Sequence, residues 1–231
     1  MSDRAIVEVR GRDLPVRFIH NRRARRIILR VDTEADGALV TLPSPSNRDE
    51  AIKLVRNKAD WLFARLDKRP PFISFEPGSI IPLRGRDHVI VHDPVGRFAV
   101  DLSDGRISVG GTTPHIPRRV SDWLRKEAKR LLGERARAMA AMVDRQVNRI
   151  TVRNTKSRWG SCSAAGNLSF CWRLVMTPDW VLDYVVAHEV AHLVHRNHSP
   201  EFWHTVRDFG VDAKAARAWL NQNAERLQRI G

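Results

Sequence analysis

Hydrophobic residues in the first part of the chain alternate with polar ones, which is the pattern of strands that bury one face. This alternation predicts four strands, at residues 6–9, 16–20, 26–31 and 38–42. From about residue 47 to 67 the apolar positions recur at helical spacing, with Ser46 as a candidate N-cap. Residues 72–115 hold short apolar runs between glycines, so we expect further short strands and turns there.

The second half of the chain has mainly helical periodicity. A long helix is predicted from about residue 117 to 147, and strands are predicted at 150–152 and 168–174, with a loop at 154–166 between them. Each of the last three helices begins at a capping residue, namely Thr177, Ser199 and Asp212. These three helices are predicted at residues 178–195, 199–210 and 212–228.

These elements predict an α+β protein. We expect a β-rich N-terminal region with one helix over residues 1–115 and a mostly helical region over 116–231, either as two domains or as one continuous domain. No internal repeat and no low-complexity segment is evident in the chain.

Composition places the chain among ordinary globular proteins. Of its 231 residues, 42% are hydrophobic and 29% are charged. No apolar run approaches the roughly 18 residues of a membrane-spanning helix, and the N-terminus has no signal-peptide core, so we expect a cytoplasmic protein with no membrane partner. The two cysteines, Cys162 and Cys171, are too few for a disulfide framework.

The charge of the chain is strongly positive, with a formal net charge of +14. Basic residues are densest at 17–30 and 118–137. Such a field attracts polyanions, so non-specific DNA contact through a basic surface is expected. The alternative is that both stretches are solvated faces of secondary structure.

Five of the nine histidines lie between residues 188 and 204. His188 and His192 are one helical turn apart and about 40° apart around the helix, so both imidazoles can reach one metal ion. Glu189 lies on the adjacent strip of that helix, where a carboxylate can activate a water bound to zinc. The helix is apolar on nearly all sides, so these polar residues are buried and need partners. Hydrogen-bonded core residues are the alternative interpretation.

The third metal ligand follows from distance. His195 lies about 10.5 Å of helix rise beyond His188, while two nitrogens on one zinc lie at most about 4 Å apart. His198 follows Asn197, a residue type that tolerates the left-handed conformation, so the chain can turn back there. We therefore favour His198, and a carboxylate such as Glu201 or Glu225 is the alternative.

Several motifs resemble the YgjP-like metallopeptidase domain, a family related to the SprT-like and Wss1-like zinc proteases. They are Thr-Lys-Ser-Arg-Trp-Gly-Ser-Cys-Ser at 155–163, the segment 168–178, Asp-Tyr-Val-Val-Ala-His-Glu-Val-Ala-His at 183–192 and Asn-His-Ser-Pro-Glu-Phe-Trp at 197–203. The resemblance extends over about residues 15–225. It implies metal ligands at His188, His192 and His198 and a catalytic Glu189. Many members have an asparagine where this chain has Cys171.

Further site residues are weaker candidates. Tyr184 lies one turn before His188 and could donate to a developing oxyanion, although a core tyrosine bonded to the backbone is the alternative. Arg158 and Trp159 precede the strand 168–174, which in zinc proteases can align a substrate by edge pairing. Arg158 could equally hold a phosphate. Asp208 is a candidate to orient a ligand imidazole.

The sequence thus predicts a zincin-like C-terminal part with a short sheet and an HExxH active-site helix. The favoured function is that of a zinc-dependent hydrolase that holds one zinc ion. Within that class we favour a metallopeptidase acting on a polypeptide. Nucleoside triphosphate hydrolysis to pyrophosphate has also been attached to the family, so a nucleotide substrate is the first alternative. A nucleic-acid-binding module with a structural zinc is the second, and an intact Glu189 argues against it.

Overall fold

The structure is a computed structural model that describes residues 3–32, 35–44, 47–96 and 98–231. Its contacts divide the chain into two compact units, Met1–Arg69 and Pro70–Gly231, and each unit has its own hydrophobic core. The predicted α+β class is confirmed. The division differs from the predicted one at 115/116, because the strands within residues 80–109 share one core with the long helix that follows them.

The first unit is a four-stranded sheet covered by helices. Its strands pair in the order β1-β2-β4-β3, with β2 and β4 parallel and the outer pairs antiparallel. The predicted single helix is two helices, with a break at Lys58, where φ is −107°. The candidate cap Ser46 lies outside the described residues. The elements are β1 (Asp3–Val9), β2 (Arg12–His20), β3 (Ile28–Asp32), β4 (Gly37–Leu42), α1 (Arg48–Asn57) and α2 (Ala59–Leu66).

The second unit begins with another four-stranded sheet. Its strands are β5 (Ile80–Leu83), β6 (Arg86–His92), β7 (Val100–Ser103) and β8 (Arg106–Val109), paired in the order β5-β6-β8-β7. The 27-residue helix α3 (Ile116–Met142) follows. Ile81 and Ile107 of the sheet and Leu124 of the helix are fully buried in one core.

These two sheets are repeats of one another. In both, the middle strands are parallel and the outer pairs antiparallel, in the same order along the chain. Residues 10–13 and 84–87 both read Arg-Gly-Arg-Asp at the first hairpin turn, 36–37 and 104–105 both read Asp-Gly at the second, and 60–62 and 122–124 both read Asp-Trp-Leu in the helix that follows. The interpretation that the chain has no internal repeat is therefore wrong. The shared motifs are only two to four residues long, and the segments between them differ in length.

A small three-stranded sheet follows α3. It contains β9 (Arg149–Arg153), β10 (Gly160–Cys162) and β11 (Asn167–Cys171) in the order β10-β11-β9. The expectation that the strand 168–174 offers a free edge is wrong, because β11 pairs with a strand on each side. The outer strand beside the next helix is β10.

The last three helices are α4 (Asp179–Ala191), α5 (Pro200–Asp208) and α6 (Ala213–Gln228). The predicted caps of the last two are confirmed: Ser199 accepts a hydrogen bond from the amide of Phe202, and Asp212 accepts from two amides of the first turn of α6. Thr177 does not cap α4, because its hydroxyl donates to the carbonyl of Leu174 at 2.8 Å. None of the helices in the described ranges has the length and apolar character needed to cross a bilayer.

The turn between β5 and β6 supports the start of α4. The amide of Arg84 donates to the carbonyl of Val175 at 2.8 Å, and its guanidinium bonds to the carboxylate of Asp179, the first residue of α4. Gly85 has φ 75°, and a Cβ there would lie 2.9 Å from Pro178. Position 85 therefore requires glycine both for the left-handed backbone and for the close approach.

Candidate metal centre

Three histidines converge at the end of α4. One ligand nitrogen from each of His188, His192 and His198 lies within 4.8 Å of the others. The Nε2 atoms of His188 and His198 are 3.1 Å apart. Four tetrahedral bonds of about 2.0–2.1 Å would place two zinc-bound nitrogens roughly 3.3 Å apart, so this spacing fits a shared metal ion.

The turn that returns His198 to the helix is made earlier than predicted. Helix α4 ends at Ala191, and the amides of Val194 and His195 both donate to its carbonyl, at 3.1 and 2.9 Å. Asn197 is not among the described residues with positive φ. The prediction of a left-handed turn at Asn197 is therefore wrong, because the chain turns as the helix unwinds.

His195 contributes its backbone rather than its ring. Its carbonyl oxygen lies 3.0 Å from Nδ1 of His192, which holds the proton on Nδ1 and leaves Nε2 for a metal. Asp208 does not orient a ligand imidazole, since it pairs with His204 at 3.0 Å. The cluster found in the described ranges contains neither Glu201 nor Glu225.

The first turn of α5 packs two aromatic rings against the histidines. The ring of Phe202, which is fully buried, lies 4.6–5.0 Å from the centroids of all three imidazoles. The ring of Trp203 stacks on His198 at 5.8 Å with an interplanar angle of 28°. Ser199 and Pro200 start α5 directly after His198. The local sequence therefore determines the positions of His198 and of the two rings that pack against it.

The environment favours the neutral form of two of the imidazoles, those of His188 and His192. Burial, together with the neighbouring His192 and His198, lowers the pKa of His188 to about 4. Burial also lowers the pKa of His192, although the hydrogen bond to His195 opposes this. Neutral imidazole is the form that binds a metal, so above these pKa values no proton has to leave before binding. The donor set and its protonation therefore fit a zinc ion.

Glu189 is 6% exposed, and burial raises its pKa to about 7, while the charge of Arg158 acts in the opposite direction. Its carboxylate accepts no hydrogen bond from any residue that the structure describes. A buried carboxylate without a partner is costly. The buried carboxylate of Glu189 therefore costs stability rather than contributing to it.

Gly160 of β10 lies directly against Glu189. A Cβ at position 160 would meet Oε1 of Glu189 at 2.5 Å and its Cγ at 2.6 Å. The sequence interpretation did not single out this residue as functional. A glycine in a short strand does signal close approach of another group, and here that group is the carboxylate.

Two cavities meet at Gly160, His188 and Glu189, which line both of them. The larger, of about 400 Å³, is also lined by Arg158, Cys162, Arg196 and the other two histidines. The smaller, of about 260 Å³, lies between α4 and α6 and is also lined by Trp159, Tyr184, Arg217 and Asn221. His188 and Glu189 therefore lie between two recesses, which is an arrangement that can hold a substrate on both sides of a reacting bond.

The weaker candidates fall on opposite sides of the site. Arg158 lines the larger cavity, and Trp159 and Tyr184 line the smaller one. Within the described ranges the hydroxyl of Tyr184 makes no hydrogen bond, so Tyr184 is not the backbone-bonded core tyrosine of the alternative interpretation. Cys171 is buried, and its thiol donates to the carbonyl of Thr155 at 3.3 Å. It supports the loop that carries Arg158 and Trp159.

Sequence comparison gives one family. The family described as YgjP-like, metallopeptidase domain, matches residues 25–223 of the chain. No curated protein and no solved structure gives a significant match. The match includes every residue of the histidine cluster, Glu189, and the residues that line the two cavities.

Proposed function

Because the chain belongs to the YgjP-like metallopeptidase domain family, we propose that it is a zinc-dependent peptidase in which His188, His192 and His198 hold the metal and Glu189 is the general base. The resemblance drawn from the motifs is confirmed by this membership. The observation that carries the proposal is the convergence of three imidazole nitrogens within 4.8 Å beside the buried carboxylate of Glu189, which accepts no hydrogen bond from any described residue.

Zinc held there would supply Lewis acidity, which polarises a carbonyl group and makes a water molecule easier to deprotonate. The protein residues supply the proton transfers. Glu189 takes a proton from the attacking water and then delivers it to the leaving nitrogen. Gly160 leaves the space that the carboxylate occupies. The unbonded hydroxyl of Tyr184, in the adjoining cavity, is available to donate to the carbonyl oxygen of the substrate.

The substrate backbone is proposed to lie along β10. This strand pairs with β11 on one edge, and no described strand pairs with its other edge. Gly160 begins the strand and also lines both cavities. An extended peptide added to this edge would therefore pass directly over Glu189 and His188.

A nucleoside triphosphate is the second candidate substrate. Arg158 and Arg196 line the larger cavity together with the three histidines, and both side chains are exposed. Guanidinium groups bind phosphate oxygens in bidentate geometry. The same centre with these two cations would suit attack on phosphorus.

A structural zinc in a nucleic-acid-binding module is the least favoured reading. Closed structural sites surround the metal with four protein ligands. Here the histidine cluster has three members, and His198 is exposed to solvent. An open position beside a buried carboxylate favours a catalytic centre.

The test compares the zinc-loaded protein with Glu189→Gln on a peptide library and on a panel of nucleoside triphosphates. The variant should keep its zinc and lose about 10²- to 10⁴-fold in turnover, because only proton transfer is removed. Glu201→Gln, at an exposed glutamate of α5 outside the cluster, is the matched control and should retain full activity.

Peptide products that disappear with a chelator and with Glu189→Gln would support the peptidase. Release of pyrophosphate without proteolysis, under the same controls, would favour the second candidate. Full activity in Glu189→Gln would exclude both proposed mechanisms, that of the peptidase and that of the enzyme acting on nucleoside triphosphates.

A further inference from the structure

The smaller cavity has a size that suits one side chain or one terminal group. Its volume is about 260 Å³, below the roughly 300–1,000 Å³ of pockets that hold drug-sized ligands. It opens beside His188 and Glu189, so a group that enters it lies next to the reacting bond. Leu220 and Val185 provide apolar walls, and both are buried.

Arg217, Asn221 and Tyr184 bring hydrogen-bond donors to this cavity. Arg217 and Asn221 lie one turn apart on the same face of α6, and Tyr184 faces them from α4. The only acidic residue in the lining is Glu189. The amide and the guanidinium can both donate hydrogen bonds to one anion.

Arg217 has no acidic partner among the residues that the structure describes. Its guanidinium carbon lies 5.9 Å from the ring centroid of Trp203, whose ring stacks on His198. By contrast, Arg84, Arg130 and Arg135 of the same unit all pair with carboxylates. Arg217 is thus an exposed guanidinium without an acidic partner among the described residues, and it lies within cation–π distance of Trp203.

We propose that this cavity is a specificity subsite for a carboxylate next to the scissile bond, bound by Arg217 and supported by Asn221. The proposal rests on the peptidase function above. A carboxylate can come from an aspartate or glutamate side chain or from the C-terminus of the substrate. The two sources share the planar, bidentate geometry that a guanidinium recognises.

The test uses blocked peptides in which each residue flanking the cleaved bond is in turn glutamate, glutamine, leucine or lysine. A second pair ends next to the bond as a free acid or as an amide. The zinc-loaded protein should prefer glutamate to glutamine at one flanking position, or acid to amide, by about 10- to 100-fold in kcat/KM. The pair that shows the preference identifies the source of the carboxylate.

Substitutions of Arg217 test whether this residue causes the preference for a carboxylate. Arg217→Gln should reduce the ratio of acidic to neutral substrate to near one, and Arg217→Glu should reverse it in favour of lysine. Arg226→Gln, at an exposed arginine of α6 that does not line the cavity, should leave activity and preference unchanged. Equal cleavage of glutamate and glutamine peptides by the wild type, or an intact preference in Arg217→Gln, would overturn the subsite.

A binding measurement separates failure of the subsite from failure of the peptidase. Calorimetry on Glu189→Gln should show tighter binding of the acidic peptide, and the added Arg217→Gln should abolish the difference. If no peptide is cleaved but this difference is found, the subsite stands and the peptidase function fails. If peptides are cleaved without any such difference, the subsite fails and the peptidase function stands.

Discussion

Gly160 and Glu189 are in direct contact, and a methyl group at position 160 would come within 2.5 Å of Oε1 of the carboxylate. Gly160→Ala should therefore displace the proposed general base without touching a histidine. Since a displacement of about 1 Å can cost roughly 100-fold in rate, we expect a loss of that order with zinc content unchanged. Turnover and elemental analysis measure the two quantities.

Stability measurements separate this displacement from a general folding defect. Gly160→Ala should destabilise the wild type but not Glu189→Ala, in which the clashing side chain is absent. Gly133→Ala in α3, where the added methyl meets only the flexible end of Arg137, is the matched control. Equal destabilisation in both backgrounds would contradict the contact as the cause.

Replacing His198 should show whether its imidazole, rather than that of His195, binds zinc. His198→Ala should lower zinc content and the free energy of unfolding together, because a metal at 100 times its Kd stabilises the folded state by about 2.7 kcal/mol. His195→Ala should keep its zinc, since only the backbone carbonyl of His195 contacts His192. Loss of zinc in His195→Ala together with retention of zinc in His198→Ala would show that His195, and not His198, is the third ligand.

The stability of the metal-free protein should depend on pH through Glu189. Its pKa is raised from 4.5 to about 7, so the folded state binds the proton more tightly than the unfolded state. The free energy of unfolding should therefore fall as pH rises from about 4.5 to 7. Glu189→Gln removes this dependence, so its advantage over the wild type should grow to the order of 2 kcal/mol near pH 7.

His188 acts in the opposite direction, which is why the comparison must be between variants. Its pKa is lowered from 6.5 to about 4, so this residue makes unfolding harder as pH rises through that window. Six of the seven tryptophans lie in Pro70–Gly231, so fluorescence during urea unfolding reports on that unit. An advantage of Glu189→Gln that is constant from pH 5 to 7 would contradict the buried, protonated state of Glu189.

DNA binding should depend mainly on one loop of the first unit. This basic loop, residues 21–27 between β2 and β3, carries four exposed arginines, and no described acidic residue forms an ion pair with any of them. They are Arg22, Arg23, Arg25 and Arg26. Replacing all four by glutamine should weaken binding at about 50 mM salt and reduce the salt dependence, because fewer counterions are released.

The second basic stretch is the control, since part of its charge is already neutralised. On α3, Arg130 pairs with Glu127 and Glu134, and Arg135 pairs with Asp183. Substitution of four other exposed basic residues of that helix should change affinity and salt slope less. The control positions are Arg118, Lys126, Lys129 and Arg137. An equal effect of both sets would mean that net charge alone governs binding.

The histidine cluster could be predicted from the sequence because it depends on local geometry. The spacing of His188 and His192 follows from the helical period, and the start of α5 at Ser199 and Pro200 follows from capping. These are properties of a few neighbouring residues. The prediction of a turn at Asn197 is wrong because the position at which a helix unwinds depends on the residues that pack against it, and these are not neighbours in sequence.

Tertiary pairing could not be predicted in the same way. Periodicity identified the strand at 168–174 but not its neighbours, so β11 was expected at an edge that β10 occupies. Arg217 lies 29 positions after His188 on a helix whose local pattern is unremarkable, and only the packing of α6 against α4 brings it to the site. A residue that reaches a site only through tertiary packing cannot be recognised from the sequence around it.

The two sheets of the same strand order differ in the surroundings of their first hairpin turn. At Gly11, in the first copy, a Cβ would meet nothing within 4 Å, so only the φ of 72° favours glycine. At Gly85, in the second copy, the same turn is pressed against Pro178 at the start of the helix that carries the histidines. The same hairpin turn therefore packs against the start of α4 in one sheet and is free of close neighbours in the other. Position 11 should therefore accept asparagine or aspartate, which adopt the left-handed conformation most readily after glycine, whereas either residue at position 85 would clash with Pro178.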